Sequence, residues 1–171
     1  MIVAANFKTN KTRAQTRDYM DELNSFIRSN NIKSEVMVFP PLTALDSFGQ
    51  GAIVGAQNAY GVENGAFTGE VGREQLDEFG ITTVLIGHSE RRHILGETQE
   101  EIAQKFKYFQ SHGYRIVYCI GEKLETREAG EEALILVHEL AEVPLIGAVA
   151  AGIPALAAEN YETAHSLPRD W

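Results

Sequence analysis

Cysteine is almost absent from this chain: Cys119 is the single one among 171 residues. That excludes an intramolecular disulfide and a cysteine-based metal cluster, and it fits a reducing compartment. Positive charge is also scarce. Fifteen Lys and Arg stand against 24 Asp and Glu, a net charge of −9, whereas modules that grip a nucleic-acid backbone are usually basic. No nucleic-acid partner is expected. An anionic metabolite is not excluded, because a small ligand feels the local field of its own site. Long hydrophobic runs are missing too. The longest uncharged stretch, Val143 to Ala158, falls short of the roughly 20 apolar residues that a spanning helix needs. The opening Met1-Ile2-Val3-Ala4-Ala5-Asn6 lacks the basic and apolar regions of a secretory signal. The expectation is a soluble, cytoplasmic protein with no membrane span.

What is present is a globular composition, 44% hydrophobic and 23% charged, arranged as short apolar runs alternating with helix-period runs. Ile2 to Phe7, Glu35 to Phe39, Ala52 to Ala56, Thr82 to Ile86 and Arg115 to Ile120 read as strands. Between Thr12 and Asn30, the residues Tyr19, Met20, Leu23, Phe26 and Ile27 fall on one helix face. A short helix is expected around Thr43 to Phe48, and another over Gly72 to Phe79 with Gly80 just past its end. Gln57 to Gly69 is Asn- and Gly-rich and reads as a long loop. Thr98-x-x-Glu101 is a capping box opening a helix with Ile102, Phe106 and Phe109 inward. A fifth helix is expected from Leu124 to about Glu142. Near-continuous apolar strands alternating with amphipathic helices predict a parallel sheet covered by helices. The texture changes between Leu134 and Val143, where an Ala-, Gly- and Pro-rich segment begins. Residues 1–142 and 143–171 are therefore expected to be two parts.

In parallel α/β folds ligands bind at the C-terminal ends of strands. Asn6, Lys8 and Asn10 follow the first strand, Gly87-His88-Ser89-Glu90-Arg91-Arg92 the fourth, and Gly121-Glu122 the fifth. A cation there draws an anionic substrate and stabilises developing negative charge. A neutral imidazole passes a proton between oxygens, and a carboxylate moves a carbon-bound proton. Singly, each residue also has a structural reading: His88 as a satisfied structural imidazole, Lys8 as a solvated cation, Glu90-Arg91-Arg92 as a salt-bridged helix start. His93, His112, His138 and His165 show no partner pattern.

Taken together the pieces resemble a family. Ala5-Asn6-Phe7-Lys8-Thr9-Asn10 is similar to the opening Asn-x-Lys strand of triosephosphate isomerases, and Val84-Leu85-Ile86-Gly87-His88-Ser89-Glu90-Arg91-Arg92 to their strand-four signature. Gln57-Asn58-Ala59-Tyr60 with Gly65-Ala66-Phe67-Thr68-Gly69-Glu70 looks like the family's dimerisation loop. Tyr118-Cys119-Ile120-Gly121-Glu122 with Thr126-Arg127-Glu128-Ala129-Gly130 resembles its fifth unit. The resemblance spans roughly residues 1 to 135. It implies an α/β fold, a partial (β/α)8 (TIM) barrel of about five β/α units with a non-matching C-terminal tail. It also implies interconversion of dihydroxyacetone phosphate and glyceraldehyde 3-phosphate, a small phosphorylated triose as substrate, no cofactor, no metal and a homo-oligomer, generally a homodimer. By motif, Asn6 and Lys8 would bind substrate, with Lys8 as the electrostatic element. His88 would be a neutral electrophile, Glu90 and Thr68 would support the site (Thr68 from a partner subunit), and Cys119 would lie behind it.

Parts of the family pattern are missing from these 171 residues. Its catalytic glutamate sits in a Tyr-Glu-Pro-x-Trp-Ala-type motif, followed by a lid and Gly- and Ser-rich phosphate loops, and none of these is found. Glu159 lies at a similar distance from Cys119 in the chain, but its surroundings differ. Loss of a general base costs roughly 100- to 10,000-fold, so a weak or inactive isomerase is expected. The tail has a second resemblance. Val143 to Pro154 with Ala157-Ala158-Glu159-Asn160 looks like the self-cleavage region of LexA-type repressors, where the bond matching Ala151–Gly152 is cut. No lysine follows Lys123 and only Ser166 lies in the tail, so that segment could be a substrate and not a protease. A chimera joined near residues 134 to 143, a truncation, or an interaction module with a cleavable tail would each account for the combination.

Overall fold

Parallel strands that bury both faces need apolar side chains at odd and even positions alike, and the five short runs supply them. A computed structural model of the chain describes residues 2–120. The expected fifth helix from Leu124, Gly121, Glu122, Glu159 and the tail all lie outside the described residues. The strands are β1 (Ile2–Asn6), β2 (Glu35–Phe39), β3 (Ile53–Val54), β4 (Thr83–Ile86) and β5 (Arg115–Tyr118). The helices are α1 (Arg13–Ser29), α2 (Arg73–Glu78), α3 (Ser89–His93) and α4 (Gln99–Ser111). All pairings are parallel and follow chain order: β1 with β2, β2 with β3, β4 with β5. A bridge from Ala56 to Val84 joins β3 to β4.

Side chains alternate across this wall with period two. Ile2, Ala4, Met37, Phe39, Ile53, Leu85, Val117 and Cys119 pack together on one face. On the other face, Ala5, Phe7, Val36 and Val38 meet Met20, Leu23 and Ile27 of α1. Further along that face, Ala56, Val84, Ile86 and Ile116 meet Leu76 of α2 and Ile102 and Phe109 of α4. The wall curls away from its helices. At the first residues of β2 and β5, Glu35 Oε1 and Arg115 Nη2 are 2.6 Å apart. Three strand spacings in a flat sheet would separate those strands by about 14 Å, a gap the two side chains would close only at full extension. The expected partial barrel is thus present as a concave wall with helices outside.

Helix ends follow the chemistry of their caps. Thr12 opens α1 and Thr98 opens α4, each with a reciprocal capping box, through Gln15 and Glu101 respectively. Gly80, at φ +69°, follows the C-cap of α2 as expected. Three sequence expectations need correction. Phe26 does not join the buried face of α1; it is 58% exposed. The face is centred on Thr16, Met20 and Asn24, and six residues beyond Met20 places Phe26 about 120° off that centre. The helix expected over Thr43 to Phe48 is only a single 3-10 turn, Leu42–Ala44. Leu45 turns extended and inserts into the α2/α4 cluster instead. On α4 the buried residue beside Ile102 and Phe109 is Lys105, while Phe106 is half-buried and meets Tyr118 edge-on.

One backbone position sets the depth of the interior. Gly55 faces the Phe39 ring so closely that an added Cβ would lie 2.3 Å from Phe39 Cε1. The ring fills space that any side chain at position 55 would need. Gly55→Ala is expected to destabilise the fold by about 1–3 kcal/mol through overpacking, with part of the loss recovered in Gly55→Ala/Phe39→Leu. Denaturant unfolding of both variants reads this; an unchanged midpoint in the single variant would contradict it.

Candidate active site

The C-terminal rim of the wall gathers the residues singled out after the first and fourth strands. β1 ends at Asn6, and the chain then turns sharply at Lys8, whose φ is +52°. A non-glycine residue in that left-handed region costs on the order of 1–3 kcal/mol unless its surroundings hold it. Two side chains do so. Asn6 Oδ1 accepts from the Lys8 backbone N–H at 2.9 Å. Gln57 Nε2 donates to the Lys8 carbonyl at 2.8 Å and to the Phe39 carbonyl at 2.9 Å. Gln57 therefore ties together the chain ends that follow β1, β2 and β3. Asn10 closes the turn by donating its Nδ2–H to the Phe7 carbonyl at 3.1 Å.

The result is that Lys8 points across the rim. Its Nζ donates to Glu90 Oε1 at 2.5 Å, with the two side chains 30% and 42% exposed. Glu90 sits in the first turn of α3, and His88 is the residue that caps that helix. The Glu90 backbone N–H donates to His88 Nδ1 at 3.2 Å. A backbone N–H can only donate, so Nδ1 carries the lone pair, and the proton of the neutral ring is on Nε2. Burial holds the His88 pKa below its ordinary value; Glu90 pulls it up and Lys8 pushes it down. The arrangement yields a neutral imidazole presenting an N–H, beside an ammonium held by one carboxylate. It can polarise a carbonyl oxygen and shuttle a proton between oxygens.

Lys8, His88 and Glu90 are thus brought together, with Asn6 bracing Lys8. Thr68 is exposed on the long loop between β3 and α2 and has no contact with these three among the described residues. Cys119 lines the concave interior. Burial pushes its thiol up to about 11, against the pull of Arg92, so it stays protonated at neutral pH. Sequence reasoning placed Gln57 in the loop and missed its hold on Lys8; its position two residues beyond the interior-facing Gly55 was the available signal. It also missed Glu97, whose side chain is 5% exposed. Glu97 pairs with Lys105 and with Arg91 Nε at 3.1 Å, and Lys105 Nζ reaches Asn58 Oδ1 at 2.9 Å. This buried ionic group anchors the long loop and α3 to α4 behind the rim. Nothing in the spacing of Glu97 and Lys105 marked it. Among the described residues no helix is long and apolar enough to cross a membrane.

Comparison with known proteins supplies the lineage. The family model for triosephosphate isomerase matches residues 1–151, past the span of roughly residues 1 to 135 given to the resemblance and into the start of the segment likened to a repressor tail. A triosephosphate isomerase of Sulfurovum sp. (strain NBC37-1) is 60% identical over 142 residues, covering 83% of this chain and 62% of the relative. Those of Sulfurimonas denitrificans and Wolinella succinogenes are each 54% identical, covering 79% and 84% of this chain and 56% and 62% of the relatives. The chain therefore spans about three-fifths of the length of the curated relatives it matches.

The geometry of His88 makes fold stability depend on pH. Its pKa is depressed in the folded state, while the unfolded chain has the ordinary value of about 6.5. Above that value both states are neutral and nothing is lost. As pH falls through about 6.5 toward the lower folded pKa, the unfolded state takes up the proton first and stability declines. Replacing the ring with His88→Gln is expected to flatten that part of the stability–pH curve, as measured by urea unfolding. An identical slope in both proteins would contradict the assignment.

Proposed function

This chain belongs to the triosephosphate isomerase family, and from that premise we propose that its strand-end cluster binds and polarises a triose phosphate. Aldose–ketose interconversion moves one proton between neighbouring carbons and one between their oxygens, with no net redox change. The Nε2–H of neutral His88 donates to the substrate oxygens and returns the proton. Lys8 draws the anionic substrate in and stabilises the negative charge of the enediolate. Glu90, as the counter-ion of Lys8, keeps the ammonium oriented and is itself occupied. The single observation that carries this reading is the Glu90 backbone N–H donating to His88 Nδ1 at 3.2 Å. That bond fixes the tautomer the chemistry needs.

The carbon-bound proton requires a carboxylate base, and no residue of the 171 matches the family motif that carries it. The chain by itself is thus a weak or inactive isomerase, reduced by roughly 100- to 10,000-fold for the base alone. A second reading, a non-catalytic barrel portion, is favoured by the relatives' greater length, of which the chain covers 62% or less in the three cited. In either case the loop carrying Thr68 serves a homodimer, and the protein works in the cytoplasm. The division into 1–142 and 143–171, and a repressor-like tail that a cognate protease would cut at Ala151–Gly152, belong to this proposal as well.

A coupled assay converting dihydroxyacetone phosphate to glyceraldehyde 3-phosphate, run beside His88→Ala, tests the reading. Slow turnover that His88→Ala abolishes is the expected result. Turnover of equal rate in both proteins would remove His88 from the chemistry.

A further inference from the structure

Arg92 has no part in the cluster just described, yet its guanidinium occupies the junction of β4 and β5 directly beneath it. Its Nε donates to the Gly87 carbonyl at 2.6 Å, and its Nη2 to the Cys119 carbonyl at 3.3 Å. Gly87 immediately precedes His88, and Cys119 immediately follows β5. The outer edge of the guanidinium is tied as well. Nη1 donates to Gln99 Oε1 at 2.7 Å, and Nη2 to the Tyr118 hydroxyl at 3.1 Å. Gln99 Nε2 reaches the same hydroxyl at 3.3 Å, and the guanidinium lies 5.8 Å from the Tyr118 ring centroid. The backbone makes room for this. Gly87 has φ +78°, and a Cβ there would fall 2.7 Å from Arg92 Nη2 and 2.8 Å from the Cys119 carbonyl oxygen.

Beyond Cys119 N–H···O=C Ile86 at 2.8 Å, no backbone bond continues the β4–β5 ladder among the described residues. On its far side His88 is held by α3, whose Arg91 and Arg92 N–H groups donate to its carbonyl at 2.9 and 3.1 Å; on its near side the Gly87 carbonyl is held by Arg92. A planar guanidinium with donors in a fixed fork can bridge two carbonyls and two side chains at once, which an ammonium cannot do. We propose that Arg92 is a positioning residue for His88, locking the Gly87 and Cys119 carbonyls together and so fixing where the imidazole stands. This rests on the reading of His88 as the proton-handling group. Arg92 touches no reacting atom on that reading; it acts through the backbone before His88.

The test is imidazole 15N NMR on the full chain, comparing the protein with Arg92→Lys across a pH titration. His88 faces Lys8 from the loop after β1 and Glu90 from α3, and neither is altered by the substitution. In Arg92→Lys the His88 signals are expected to move, and the midpoint of its titration to rise toward about 6.5 as the ring loses its burial. The ring signals of His112, at the far end of α4, are expected to stay where they are. Unchanged His88 signals and midpoint would overturn the proposal. Should Arg92→Lys fail to fold, Tyr118→Phe decides. Tyr118 packs on the helix side of β5 with the α2/α4 cluster, and its hydroxyl, the group that Phe lacks, accepts from Arg92 Nη2 at 3.1 Å. It should move the His88 signals in the same direction by less, and no movement would overturn the proposal. The readout needs no turnover, so it stands apart from whether the chain isomerises a triose phosphate. A fall in turnover with unmoved His88 signals would likewise contradict the positioning role.

Discussion

The strands in residues 2–120 carry apolar side chains on both faces, and the rest of the structure depends on how those faces are covered. Helices cover one face. The other face can be buried only against itself, so the sheet curls until side chains of separate strands meet inside. The curl draws the strand ends together, and this puts Lys8, from the end of β1, within 2.5 Å of Glu90, from beyond β4. In a flat sheet β1 and β4 would stand about 14 Å apart. The site is therefore a consequence of core burial, and Gly55 and Phe39 below it matter as much as the charged groups above.

The electrostatics at the rim keep one group neutral and one charged at close range. His88 is partly buried and takes a backbone N–H on Nδ1, both of which disfavour the imidazolium. Lys8 is more exposed, and its Nζ donates to the Glu90 carboxylate. Neither device relies on long-range charge, and the net charge of −9 works against an anionic ligand only at distances that salt screens. Strain at Lys8 and the hydrogen bonds that hold it show where the fold has spent stability on orientation.

Much of this was legible in the sequence, for specific reasons. Strand positions followed from apolar runs, the caps from Thr12 and Thr98, and the candidates Lys8, His88 and Glu90 from their places after strands. Other features were hidden because their signal is not local. Asn24 is buried on α1 where periodicity counted only apolar residues; it donates to the Phe48 carbonyl and accepts from the Ala52 N–H, which fixes the entry to β3. Gln57 and Arg92 work through backbone carbonyls of other strands, and no sequence spacing encodes those contacts. Phe26 was misjudged because the apolar count outweighed the phase of the buried face. The family likeness carried residue roles that periodicity could not supply, and the match to residue 151 reached further than the motifs alone suggested.

The claim that the rim is built to hold a triose phosphate is tested most directly by binding. Isothermal titration of dihydroxyacetone phosphate into the protein and into Lys8→Met at low ionic strength isolates the cation that Lys8 aims across the rim. A dissociation constant weaker by roughly tenfold or more in Lys8→Met, about 1.4 kcal/mol, is the expected result. Equal affinity in both proteins, or no binding to either, would contradict the account.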